Sequence, residues 1–327
     1  MVAGRNPPLQ PSCAIWDPIR NRIVALASGS VWELSPAGSP QWEVVAASGA
    51  APAGSVAVYD SRRDRMVVLA GTSSTFECRA FTLSGTLQWS AITLSGGVDP
   101  GRTPHAAVYD SLRDRVVMFG GAQVTQLYVI YYDETWELRF NGDCCAEAAL
   151  IAQDNRPPRR ADHAAIHDPV RNRMIVSGGH DDIQVHADVW ALDLADDHWE
   201  QLFPAGSLSP SRHTAVYDPV GDRMVVYPPH SGASVWELTL STEPEAWHLL
   251  APGGDPPSTP RAGHRAVLDP ATAKMFVFGG TSEPIKNDVW SLSLAGSLAW
   301  SALGTVPPGA PARTNIRPSS TRSSTAW

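Results

Sequence analysis

Apolar and polar positions alternate along this chain in short runs, and the runs come in sets. His105-Ala-Ala-Val-Tyr109 alternates as a strand does when only one face is buried. Asp110-Ser-Leu-Arg-Asp114-Arg115 then reads as a tight turn, and Val116-Val-Met-Phe119-Gly120-Gly121 as a second strand. After a loop, Thr135-Trp136-Glu137-Leu138 is a third strand. No stretch of useful length carries the 3.6-residue period of a helix. The set recurs. Ala-Ile-Trp-Asp17-Pro-Ile-Arg-Asn21-Arg22-Ile-Val returns as Ala-Val-Tyr-Asp60-Ser-Arg-Arg-Asp64-Arg65-Met-Val, and again around Asp110, Asp168, Asp218 and Asp269. The intervals between these aspartates are 43, 50, 58, 50 and 51 residues.

Tryptophans mark the rest of each unit. Third-strand aromatics recur as Trp32, Phe81, Trp136, Trp190, Trp236 and Trp290, and a fourth strand is marked by Trp42, Trp89, Trp199, Trp247 and Trp300. Such large rings suit the wedge between neighbouring sheets. The paired glycines Gly120-Gly121, Gly178-Gly179 and Gly279-Gly280 suit close approach of a neighbouring backbone. With 26 Gly and 28 Pro among 327 residues, frequent turns between short strands are expected throughout.

A period near 50 residues is that of the kelch class of propeller blade. The series Arg102-x-x-His105…Tyr109-Asp110…Arg115…Gly120-Gly121…Trp136 resembles a bacterial kelch repeat, related to the galactose-oxidase type of propeller. The likeness is strong in units 3, 4 and 6. It is looser in units 1, 2 and 5, where Ser28-Gly29, Ala70-Gly71 and Pro228-Pro229 replace the double glycine. The resemblance implies an all-β, six-bladed kelch-type β-propeller with four antiparallel strands per blade, one domain over residues 12–305. Approximate blades are 12–50, 55–98, 102–156, 160–206, 211–252 and 261–305. Residues 1–11 are then a lead-in, and the Ser/Thr/Arg-rich residues 306–327 a disordered tail or the start of a seventh unit.

Charge narrows the partners. Lys and Arg total 25 against 33 Asp and Glu, a net charge of −8, and no basic run is present, which argues against nucleic acid. No apolar stretch approaches the roughly 18–20 residues of a membrane span. Met1-Val-Ala-Gly-Arg-Asn-Pro-Pro lacks the apolar segment of a secretion signal. The expectation is a cytoplasmic monomer, secreted if a precursor segment is missing. The cysteines Cys13, Cys78, Cys144 and Cys145 have no zinc-site spacing. The adjacent pair reads as two free thiols, or else as a redox-active or soft-metal pair.

Candidate chemistry gathers on one face. The Asp-x-x-x-Asn/Asp-Arg turns repeat with the scaffold and read as structural, the Asp accepting turn amides and the Arg pairing with a carboxylate. On the opposite face, His105, His163, His213 and His264 each stand five residues before the repeat aspartate, with Ser12 and Ser55 in the first two units. Arg102, Arg160, Arg212, Arg261 and Arg265 lie near them. Loops after the second strands add His180, Asp181, Asp182, His186, His230, Glu283 and Lys286. Two readings of the four histidines stand. Either they hold a transition metal ion, as imidazole commonly does, or the position recurs because it hydrogen-bonds a neighbouring blade.

Features that break the repeat are the better functional clue. Gly121 to Trp136 spans 15 positions, against 11 from Gly179 to Trp190 and 10 from Gly280 to Trp290. The extra residues, Leu127-Tyr128-Val129-Ile130-Tyr131-Tyr132, suit a lid or partner-binding patch, or packing on their own blade. A site is therefore expected near blades 3 and 4, with Tyr128 and Tyr131 beside the Arg/His rim. Two functions follow: a propeller binding a protein, peptide, acidic small molecule or glycan around the channel, or a lyase, isomerase or cyclase using the same rim. Serine-nucleophile, phosphate-loop and His-Glu-x-x-His motifs are absent from the sequence. The Tyr–Cys cofactor pair of the oxidase cannot be aligned onto it.

Overall fold

The computed structural model describes residues 11–38, 40–53, 56–72, 75–99, 101–208, 212–229, 234–257, 261–280 and 288–304. Among these the chain is all-β, with no helix long and apolar enough to cross a membrane. Six consecutive antiparallel meanders of four strands make up the fold. In the third, Ala106–Asp110 pairs with Arg115–Phe119, which pairs with Thr135–Phe140, which pairs with Cys145–Ile151. The first strands, Cys13–Asp17, Val56–Asp60, Ala106–Asp110, Ala164–Asp168, Thr214–Asp218 and Arg265–Asp269, each pack beside the next, and the sixth packs beside the first. The units thus form a closed propeller ring with their first strands innermost.

Apolar burial explains why the sheets stand face to face. Six separate clusters of buried side chains each join two adjacent units. The cluster between the sixth and first units seals the ring, with Trp16 stacked on Phe276 at 5.6 Å and Trp42 tilted against Phe278 at 5.3 Å. Trp199 is fully buried between units 3 and 4, and its Nε1 donates to Thr135 Oγ1 at 2.9 Å. Unit 2 departs from the sequence expectation. Its third strand places Arg79, not Phe81, opposite Val68, in the register that Trp136 holds opposite Met118. Phe81 instead faces Trp89, taking the place that Leu34 takes opposite Trp42. Counting aromatics misplaced the strand by two residues because the period-2 pattern is unchanged by such a shift.

The acidic turns are clamps as well as turns. Asp110 Oδ1 accepts the amides of Leu112 and Arg113, and Asp114 adopts a left-handed φ of 56° that closes the connection. Tyr109 OH donates to Asp114 Oδ1 at 2.8 Å, and Tyr59 and Tyr217 bond Asp64 and Asp222 in the same way. In units 1, 2 and 4 the arginine three residues after the repeat aspartate reaches onward. Arg63 holds Asp114 at 2.7 and 2.6 Å, Arg171 holds Asp222 at 3.1 and 2.7 Å, and Arg20 holds Asp64. The turns of units 1, 2 and 4 are therefore tied to those of units 2, 3 and 5. Tyr109→Phe should cost about 1.5–3 kcal/mol, the worth of a hydrogen bond to a charged acceptor; an unchanged urea midpoint would refute that role.

Outer strands interlock too. Cys145–Ile151 runs parallel to Trp89–Ser95 of the preceding unit, and Gly253–Gly254 runs parallel to Ala299–Gly304 of the following one. The double glycine after the second strand is explained by crowding. A Cβ on Gly121 would stand 2.5 Å from the Thr103 carbonyl, and its φ of 105° excludes an ordinary side chain. Its amide donates to Arg160 O at 2.9 Å, which ties unit 3 to the entry of unit 4.

Candidate functional site

The inner strands build a channel whose wall repeats. Three residues before each repeat aspartate stands an alanine: Ala14, Ala57, Ala107, Ala165, Ala215 and Ala266. All line an inner cavity of about 170 Å³. A wider mouth of about 380 Å³ opens above it between Thr103, Pro104, Asp162, Arg212, Ala262 and Gly263. His105, His163, His213 and Arg265 line both cavities and form the neck between them. A shallower hollow of about 550 Å³ adjoins the mouth at Arg212 and is lined by His180 and residues 181–185.

Asp162 is the centre of the mouth. Its carboxylate lies 3.0 Å from His105 Nδ1 of unit 3, 2.9 Å from Arg212 Nε of unit 5 and 3.7 Å from His180 Nδ1. The backbone adds a link from Arg212 N–H to Asp162 O at 2.9 Å, and Asp162 N lies 3.1 Å from His105 Nδ1, a nitrogen that can accept that N–H or donate to the carboxylate but not do both. Burial alone would push the Asp162 carboxyl up. The hydrogen bonds and charges of His105 and Arg212 outweigh it and hold the group well below the usual carboxylate range. The local backbone is unusual as well. Gly263 has a φ of 66° six residues before its repeat aspartate, whereas Asp162 and Arg212 carry side chains there at 55° and 57°. A left-handed arginine costs on the order of 1 kcal/mol or more, strain of the kind that gathers at functional sites.

A family model described as the KLHDC2/KLHL20/DRC7 kelch-repeats domain matches residues 28–229, more than half of the chain. The chain belongs to this kelch family. No curated protein matches it.

The kelch scaffold separates the residues that its sequence pattern had grouped. Arg102, Arg160 and Arg261 do not present their guanidinium groups to the mouth. Each is buried and tied within its own unit: Arg102 to Gly120 O and Glu134, Arg160 to Gly178 O and Asp188, and Arg261 to Gly279 O and Asp288. In units 4 and 6 the same acid accepts the indole N–H of Trp190 or Trp290 at 2.8 Å, so the triad fixes the tryptophan wedge. Arg212 differs: its side chain is 63% exposed.

The four histidines also part company. His105 bonds Asp162, and His264 is fully buried with Nε2 3.1 Å from Tyr227 O and its ring edge-on to Tyr227. His163 and His213 are 3% and 6% exposed, and neither ring nitrogen of either has a partner among the described residues. Burial pushes His163 well down and lowers His213 to about 3, so both are neutral at physiological pH. Among the described residues no three His, Cys, Asp or Glu side chains come together to hold a metal ion. Nothing among the described residues supports the transition-metal expectation for His105, His163, His213 and His264: His105 and His264 bond neighbouring groups, and His163 and His213 are buried without partners.

The enlarged loop of unit 3 forms a hairpin of its own, Ala122–Val124 against Val129–Tyr131. Its tip leaves Leu127 90% and Tyr128 61% exposed, while Tyr131 turns its ring edge to His180 at 5.7 Å. Asp181 is a turn residue, its Oδ1 accepting the amides of Ile183 and Gln184 at 2.8 Å, and His186 is buried 3.6 Å from its carboxylate. Asp182 faces solvent and pairs with Arg159. Ser55, His230, Glu283 and Lys286 lie outside the described residues, as do residues 1–10 and 305–327. Cys144 and Cys145 are free thiols with sulfurs 2.9 Å apart, remote from the mouth at the turn between the outer strands of unit 3.

Asp162 escaped the sequence reading. The signal was present: the position holds Pro104 in unit 3 and Gly263 in unit 6, so an aspartate there breaks the repeat.

Proposed function

We propose that the six units are six blades of one domain, over about residues 12–305, that binds an acidic segment of a partner protein or peptide across the mouth. Kelch domains in general mediate protein interactions, and membership of the family supports that much. The observation that carries the finer reading is Arg212. It is held on strained backbone at the rim, spends only Nε on Asp162, and keeps its Nη groups outward without an acceptor among the described residues. A guanidinium presented this way suits a carboxylate. The exposed Leu127 and Tyr128 of the unit 3 hairpin stand ready to add apolar contact. No arrangement of nucleophile and base or of metal ligands among the described residues favours the small-molecule enzyme reading.

Selection of displayed peptides on the purified protein tests this. The wild type should enrich sequences with Asp or Glu, and Arg212→Glu should bind the selected peptides roughly tenfold or more weakly, the range of a charged hot spot. Enrichment of neutral or basic sequences, or equal binding by Arg212→Glu, would remove the proposal.

A further inference from the structure

The four cysteines are of two kinds. Cys13 and Cys78 are buried, and burial pushes each thiol up to about 12, where it stays protonated and inert. Cys144 is exposed and Cys145 half-buried, and their sulfurs stand 2.9 Å apart, within reach of one shared hydrogen. The pair ends the turn from the third strand of unit 3 to the fourth. No other unit has a cysteine at that turn, so the scaffold does not require one there.

The backbone around the pair is held from both sides. Asp143 is paired with Arg63 at 3.1 Å and its carbonyl accepts from Arg65, both of unit 2. Thr93 N–H, also of unit 2, donates to Cys144 O at 2.7 Å, and Asn141 N–H donates to Cys145 O at 2.9 Å. A turn fixed in this way keeps the two sulfurs close, which raises the effective concentration of each for the other. Two sulfurs alone make an incomplete metal site, since a structural zinc ion takes four ligands. Among the described residues no third His, Cys, Asp or Glu joins them. A disulfide needs only the two.

We propose that Cys144 and Cys145 are a two-electron redox site that closes reversibly to a vicinal disulfide by exchange with a small-molecule disulfide. The exposed Cys144 thiolate attacks one sulfur of the incoming disulfide, breaks its S–S bond and releases one thiol. The Cys145 thiolate then attacks Cys144 Sγ in the mixed disulfide and releases the second thiol. One external disulfide is thereby reduced to two thiols as the two cysteines are oxidised, and the two cysteine protons end on the thiols released. The order follows from the pair itself. Its hydrogen bond to Cys144 raises the Cys145 thiol, which makes Cys145 the second to lose its proton and suits it to resolve the adduct. Adjacent residues hold their Cα atoms about 3.8 Å apart, below the roughly 4.4–6.8 Å of ordinary disulfides, so the closed ring is strained and small thiols reopen it. The site is remote from the mouth and does not rest on docking there.

Alkylation and intact-mass measurements on the whole folded chain test this, with oxidised glutathione as the probe. Before treatment, iodoacetamide should modify two thiols under native conditions, Cys144 and Cys145. After treatment it should modify none, and the protein should be two hydrogens lighter with no glutathione attached. Peptide mapping should place that loss at Cys144 and Cys145, and dithiothreitol should restore both thiols. Cys145→Ser should stop one step earlier and retain one glutathione on Cys144, because nothing remains to resolve the mixed disulfide. The wild-type measurement decides the matter without the variant. Two thiols still open to alkylation, glutathione retained by the wild type as a stable adduct, or disulfide-linked dimers of the chain would each overturn the proposal.

Discussion

Arg115→Ala should cost about 3–5 kcal/mol, the penalty of removing the buried cation from two buried carboxylates whose remaining partners, Arg113 and Arg139, are more exposed. Arg115 is 1% exposed and satisfies four partners in two units. Within its own unit it donates to Asp110 at 3.1 Å and to Glu137 at 2.8 Å. Across the interface it reaches Leu194 O and Asp197, both at 2.7 Å. Asp110 is wholly buried and Glu137 nearly so, and neither can recover water when the guanidinium goes. Arg113→Ala is the matched control. That side chain is 28% exposed, and the corresponding turn position in unit 4 is Asn172 where units 2, 3 and 5 present an aspartate, so its loss should cost less than about 1 kcal/mol. Urea denaturation of the two variants decides the matter. Costs within about 1 kcal/mol of each other would show that Arg115 is not the inter-unit clamp described here.

That contrast shows what the sequence can and cannot reveal. Both arginines belong to the same repeated turn, and the repeat alone gives the fold class, the strand order and the structural role of the turns. It does so because every unit must solve the same packing problem with the same residues. Which arginine spans to the next sheet is a matter of reach between units, and spacing within one unit is silent about it. Arg102, Arg160 and Arg261 failed as rim residues for a related reason. Each recurs with the scaffold, and what recurs with the scaffold serves it, here by fixing the glycine carbonyl and the acid before the wedge tryptophan. Asp162 and Arg212 are the converse. They occupy a backbone position where glycine is the natural occupant, they do not recur, and they meet only when units 4 and 5 are set side by side. Departures from a repeat are legible in one dimension; the partners they find are not.

Acid should destabilise this protein well before its carboxylates titrate. Burial lowers His213 and His264 to about 3 from a usual value near 6.5, and pushes His163 in the same direction. Folded, these rings stay neutral; unfolded, they take up protons as the pH falls through about 6.5. The stability tied to their neutrality is therefore complete above that value and drains away between about 6.5 and 3. By linkage, each group with such a shift forfeits about 2 kcal/mol at pH 5, so His213 and His264 together should forfeit about 4 kcal/mol of a total that for a domain is commonly 5–15. Asp162, held low by His105 and Arg212, has the same sign but acts only below the ordinary carboxylate range. The two contributions separate by pH. Urea midpoints measured at pH 7, 6 and 5 should fall steeply in the wild type, and His213→Gln should flatten that fall by about one proton's worth, about 1.4 kcal/mol per pH unit. A midpoint that holds level from pH 7 to 5 would mean that these imidazoles accept protons in place and that burial does not keep them neutral.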